Sequence, residues 1–140
     1  MTNEFRVDHT TLRAIGGGTN SLQTLECMSQ DQGAVSAGFT NNFAFANLIL
    51  GQTGAGATSI AFLALGDAYD NNRSDANPEV VYVTNLKLYA NSILYLNGFK
   101  LYHKTSGSWQ AATVGNFSYG DGSGRIAAQA LPQGTYIDIN

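Results

Sequence analysis

Residues 79–103, EVVYVTNLKLYANSILYLNGFKLYH, carry the feature that does most to limit how this chain can fold. Val81 and Val83 flank Tyr82, Leu86 and Leu88 flank Lys87, Leu94 and Leu96 flank Tyr95, and Phe99 and Leu101 flank Lys100. Alternation with a period of two puts the aliphatic members of each set on one face of an extended segment and Tyr or Lys on the other. The parity slips at Asn85, at Ala90–Ser92 and at Asn97-Gly98. Asn-Gly is a strong short-range turn signal, and Asn and Ser favour corners. The segment therefore reads as four short strands joined by tight corners.

The neighbouring segments speak the same language. Phe43 to Leu50 and Thr58 to Leu65 are apolar runs of strand length bounded by glycine, and both are read as buried strands. Gly51–Gly56 and Asp67–Pro78 are rich in loop formers and separate these runs. Arg125 to Ala130 and Thr135 to Ile139 are expected closing strands. Before residue 33 the grammar differs. Residues 1–32 read as an N-terminal arm broken by Gly16-Gly17-Gly18, with a short helix over Ser21–Gln32 suggested by Leu22, Leu25 and Met28 at spacing three. The expected fold is thus all-β, a jelly-roll, sandwich or short β-solenoid spanning 33–140 behind that arm.

The run NLKLYANSILYLNGFKLYH, residues 85–103, resembles the β-helical repeats of bacterial autotransporter-type and other cell-surface proteins. The positions that carry the resemblance are Leu86, Leu88, Ala90, Ser92, Leu94, Leu96, Asn97, Gly98, Phe99 and Leu101. It covers 19 residues in a single copy, implies a solenoid-like or jelly-roll element, and implies no catalytic residues.

Charge narrows the function classes. Only 12% of the 140 residues are charged and the net charge is −3, with seven Lys and Arg spread along the chain. Without a basic run there is no electrostatic footprint for nucleic acid. No apolar stretch is long enough to span a bilayer, and residues 1–20 show no signal-peptide core. Cys27 is the single cysteine, so neither a disulfide framework nor a cysteine-rich metal site is expected.

Three motifs suggest chemistry. Gly51 to Thr58, GQTGAGAT, has phosphate-loop spacing, but Ala57 stands where that loop needs lysine, so a plain glycine-rich turn is the better reading. Asp67, Asp70 and Asp75 lie in an oxygen-rich loop and are candidate Ca²⁺ ligands; the spacing fits no EF-hand, and a solvated loop is the commoner meaning of such a run. His9 and His103 are the only histidines, and neither sits in a recognisable nucleophile motif. No enzyme and no cofactor are expected.

Tyr82, Tyr89, Tyr95 and Tyr102 recur through the strand block and are followed by Trp109, Phe117 and Tyr119. Such side chains suit a contact surface, since Tyr and Trp combine large apolar area with a polar tip. Ordinary β-propensity explains the same pattern. A weakly charged, aromatic-bearing surface points to a homo-oligomer within a larger assembly. The first expectation is a bacteriophage virion component: a capsid decoration (cement) protein, or a fibre or tail protein. The alternatives are a secreted bacterial surface or filament protein and a carbohydrate-binding module that takes a glycan.

Overall fold

The computed structural model describes residues 8–16, 22–53, 59–69, 78–119 and 122–129. The described chain is strand-rich. In order it forms β1 (Thr11–Ala14), β2 (Leu22–Glu26), a short helix α1 (Ser36–Thr40), β3 (Phe45–Leu50), β4 (Phe62–Gly66), β5 (Val81–Leu88), β6 (Ile93–Tyr95), β7 (Leu101–Thr105), β8 (Ser108–Ala111), β9 (Gly115–Tyr119) and β10 (Gly122–Ala127).

These strands make two five-stranded sheets. One has the order β1-β3-β5-β7-β8 and the other β2-β4-β6-β10-β9. From β1 to β7 the chain alternates between the sheets, and each strand lies parallel beside the strand two positions earlier. The pattern ends with antiparallel pairs, β7 with β8 and β9 with β10. A parallel sheet buries both faces when other elements cover them, and that explains why β5 carries three successive buried residues, Val81, Tyr82 and Val83.

The core lies between the sheets. Leu12, Leu48 and Leu86 stand in one row and Ala14, Leu50 and Leu88 in the next; across the gap Leu63, Leu94 and Ile126 form a third row. Like stacks on like because the register is in phase, with Gln23 of β2, opposite Leu63, as a polar exception. Cys27 and Ala61 fill the interior further and are fully buried.

Several sequence expectations change here. The four strands read from residues 79–103 are three, because β5 runs unbroken through Asn85. The slip in alternation is real: Val83 and Leu86 both enter the core although they are an odd three positions apart. Phe45 and Leu48 on β3 make the same slip, and Phe45 faces Val83 as Leu48 faces Leu86. The irregularity is therefore stacked in register, and the parallel ladder carries through it. Ser21–Gln32 gives no helix among its described residues. Leu22–Glu26 is β2, and its backbone pairs with β4 from Leu22↔Phe62 to Glu26↔Gly66. Ladder pairing overrides the weak period-three pattern, as tertiary context commonly does. Residues 11–14 and 22–26 likewise belong to the two sheets, so the described part of the segment 1–32 is no separate arm. Thr58–Leu65 contributes its second half to β4, and Arg125–Ala130 overlaps β10. Thr135–Ile139 lies outside the described residues.

Gly51 turns the chain out of β3 with φ +79, and a Cβ there would sit 2.6 Å from the Ser59 carbonyl oxygen and the Ser92 hydroxyl. Both the backbone conformation and the close approach require glycine.

Candidate interaction surface

Three places gather polar or aromatic side chains. The first is the outer face of the sheet led by β1. On β5 and β7, Tyr82 faces Tyr102 in register, and their rings stack with centroids 4.9 Å apart. Alternation puts both on the side opposite Val81, Val83 and Leu101. The chain between β2 and β3, including α1, lies over them as a strap. The Tyr82 hydroxyl donates to the Gly33 carbonyl at 2.8 Å and accepts from the Gln32 N–H at 3.0 Å. The Tyr102 hydroxyl donates to Asp31 Oδ1 at 2.8 Å, and Lys100 Nζ reaches Asp31 Oδ2 at 3.2 Å. Phe39 of α1 packs on Trp109 of β8, with centroids 5.4 Å apart.

This arrangement sets the protonation of the strap residues. Burial alone would raise the Asp31 carboxyl, but the Gly33 N–H, the Tyr102 hydroxyl and Lys100 outweigh it and hold Asp31 below the usual carboxylate value. Burial pushes both tyrosine hydroxyls up, and the Asp31 charge adds to this. The tyrosines therefore stay neutral donors.

The predicted contact residues thus fall into separate groups. Tyr82 is fully buried and Tyr102 is 5% exposed, so neither ring is offered to a partner. Trp109 is half-buried between Phe39, Tyr82 at 6.0 Å and Lys104 Nζ at 5.4 Å. Its indole Nε1 is buried without a hydrogen-bond partner among the described residues. Tyr89 is half-buried with Lys87 Nζ 4.6 Å above its ring. Tyr95 is half-buried on β6, in the other sheet. Phe117 meets His103 edge to face at 5.4 Å. Tyr119 ends β9 opposite Gly122.

The second place is a cleft of about 310 Å³ where the strap meets the start of β5 and the corner before β7; Asp31, Glu79, Phe99 and Lys100 line it. Glu79 is only 1% exposed. Its N–H donates to Asp67 Oδ2 at 3.3 Å, and Asp67 Oδ1 is buried without a partner among the described residues. Asp70 and Asp75 lie outside the described residues, and among those described no three His, Cys, Asp or Glu side chains are grouped to hold a metal ion. Cys27 is nearby in charge terms. Burial first, then Asp67, Glu26 and Glu79, push its thiol up to about 12, which leaves it protonated and unreactive. His103 is buried, with its ring held neutral by desolvation, and Thr105 Oγ1 lies 3.4 Å from Nδ1. His9 is exposed in a different part of the fold. Residues 54–58 of the GQTGAGAT run lie outside the described residues.

The third place is a polar ladder at the stacked slip. Asn85 Nδ2 donates to Asn47 Oδ1 at 2.8 Å, and Asn47 Nδ2 donates to Thr11 Oγ1 at 2.9 Å. Three successive parallel strands contribute one rung each. Sequence reading noticed Asn85 as an irregularity but not its partners, because 38 and 36 residues separate the rungs. Asp31 was missed as well; its one local signal is the Asp-x-Gly turn in which Asp31 Oδ1 accepts the Gly33 N–H at 2.9 Å.

No family model matches this chain, and no curated protein or solved structure is significantly similar to it. No helix among the described residues is long and apolar enough to cross a membrane.

Proposed function

We propose that this chain is a short two-sheet β-solenoid and a non-enzymatic structural protein that works by self-association within a larger assembly. The observation that carries the proposal is the strand order. Seven consecutive strands alternate between two sheets with in-register parallel pairing. Each turn of such a chain stacks on the last through backbone bonds, apolar rows and a side-chain ladder, and can stack on another chain by the same means. The aromatic side chains support this over sugar binding. Tyr82 and Tyr102 are consumed under the strap, and Trp109 is held between Phe39 and Lys104. A phage fibre, tail or capsid-decoration protein and a secreted bacterial surface or filament protein both belong to this class; the topology adds weight to the elongated members.

The test is the mass of the purified protein by sedimentation equilibrium across a hundredfold concentration range. The average mass is expected to rise with concentration. A monomer at every concentration would overturn the self-association reading.

A further inference from the structure

The two ends of the strand stack are built differently. At the far end the chain doubles back: β8 runs antiparallel to β7 and β9 to β10, and Phe117 of β9 packs on buried His103. At the near end nothing among the described residues pairs with the outer edges of β1 and β2, one in each sheet. In a parallel ladder alternate residues turn their backbone groups to opposite sides. Ala14 spends its carbonyl on Gly51, and Cys27 spends its N–H on Gly66. That leaves the backbone groups of Thr11 and Arg13 on β1, and of Leu22, Thr24 and Glu26 on β2, pointing outward.

Two further features mark this end as unfinished. Among the described residues the polar ladder stops at Thr11, whose hydroxyl accepts from Asn47 and has no acceptor there for its own proton. The core rows also run out into partial exposure. Leu48 and Leu65 are buried to within 1%, whereas Leu12 and Leu25, which continue those rows in the first layer, are only half-buried; Ala14, which continues the row of Leu50, stays buried. Gln23 stands in the row of Leu63 and Leu94 and donates to the Ile15 carbonyl, so the end is not wholly apolar.

We infer that the β1 and β2 edges dock a second copy of this chain end to end, about a twofold axis, each edge pairing antiparallel with its own counterpart. This rests on the self-association reading and names its surface. A second copy is the occupant because a strand edge is self-complementary in antiparallel pairing, and because one twofold brings both edges of one copy onto both edges of the other. Size fixes the strength. Five residues at about 3.4 Å each and sheets about 10 Å apart give an end of roughly 170 Å² per copy, about 340 Å² in total. Stable interfaces bury about 1,200 Å² or more, so the dimer is weak and concentration-dependent even with backbone bonds along both edges.

The test compares association constants from sedimentation equilibrium for the unaltered protein and three variants, each checked for its strand signal by circular dichroism. Thr24→Lys sets two lysines against one another across the twofold and is expected to weaken association about tenfold or more, since like charges directly opposite repel. Thr24→Pro removes an outward N–H that β4 does not use and is expected to act in the same direction. Gln110→Lys, on exposed β8 at the other end, is expected to leave association unchanged. If the unaltered protein associates and both Thr24 variants associate equally well, the inference is overturned while the self-association reading stands. If Gln110→Lys alone dissolves the assembly, the copies meet at the other end and the inference is again overturned. A monomeric unaltered protein removes both.

Discussion

The two faces of the β1-β3-β5-β7-β8 sheet are both covered, but by different chemistry. Inward, Leu48, Leu50, Val83, Leu86 and Leu88 meet the second sheet through apolar contact alone. Outward, Tyr82 and Tyr102 meet the strap through directed bonds to Gly33, Gln32 and Asp31. Apolar burial is non-directional and grows with area. A buried hydroxyl instead must find specific partners, and removing one partner leaves the other unsatisfied. The inner face should therefore govern whether the chain folds, and the outer face where the strap sits.

The largest effect expected from this difference is on the inner face. Leu88 is fully buried and stacks on Leu50. Leu88→Ala should cost about 2–5 kcal/mol, from lost transfer energy plus the cavity left behind. Urea unfolding reads this as a lowered midpoint for all probes together. If only the strap loosened while the sheets kept their stability, the inner rows would not be the governing element.

On the outer face Tyr82→Phe keeps the ring and its stacking but strands the Gln32 N–H, while the Gly33 carbonyl keeps its bond from the Val35 N–H. A loss of about 1–3 kcal/mol is expected for the unsatisfied N–H. Amide exchange should quicken first at Gln32, before the core strands open, as a local opening does. Gly38 gives a second route to the same question. A Cβ there would lie 2.3 Å from the Tyr82 ring, so Gly38→Ala must push the strap away from β5. Trp109, which touches both Phe39 of the strap and Tyr82, is the fluorescent reporter for either change. Unchanged Trp109 emission in both variants would show that the strap is not held where the bonds place it.

The inner face was legible in the sequence because its signal is local. Apolar runs of strand length gave β3 and part of β4, and period-two alternation gave most of β5 through β7, and with them the core residues Leu48, Leu50, Leu86, Leu88, Leu94 and Leu101. The repetition between layers was not legible. Val81 and Tyr82 face Leu101 and Tyr102 twenty residues on, whereas Asn47 faces Thr11 and Asn85 at separations of 36 and 38. Loops of unequal length, the strap among them, hide a repeat that is regular in space. The strap itself was invisible for another reason. Its helix is five residues long, has no side-chain cap and carries no acidic residue in its first turn, so it lacks every helix-start signal. The tyrosines were read as one surface set because alternation shows which side a residue faces but not what covers that side.

A smaller effect is expected from the ion pair that fastens the strap. Lys100 Nζ lies 3.2 Å from Asp31 Oδ2, but the lysine side chain is 60% exposed. Exposed pairs contribute about 0–1 kcal/mol. Lys100→Met should therefore shift the unfolding midpoint barely, and less than Tyr82→Phe does. A loss as large as that of Tyr82→Phe would mean that charge, not the tyrosine bonds, fixes the outer cover.

pH separates the two faces without a mutation in either. His103 is buried, and desolvation lowers its folded value below the ordinary 6.5 while the Lys104 backbone only partly offsets this. Below 6.5 the unfolded chain takes up a proton that the folded chain resists, so stability is fully present above 6.5 and declines as pH falls toward the lowered value. The groups facing the ring are neutral: Phe117 edge-on, Thr105, and Gln110 across the β7–β8 ladder. Asp31 acts lower. Its folded value lies below 3.8, so the strap bonds to its carboxylate are intact above 3.8 and are lost as pH falls through that depressed value. Unfolding midpoints measured from pH 8 to 3 should thus decline in two stages: first a global one that sets in below 6.5, which His103→Gln flattens, then one below 3.8 that Trp109 fluorescence sees as release of the strap. A His103→Gln variant with the same slope just below pH 6.5 would assign the first stage to some other group and break the link between the buried ring and the closed end of the stack.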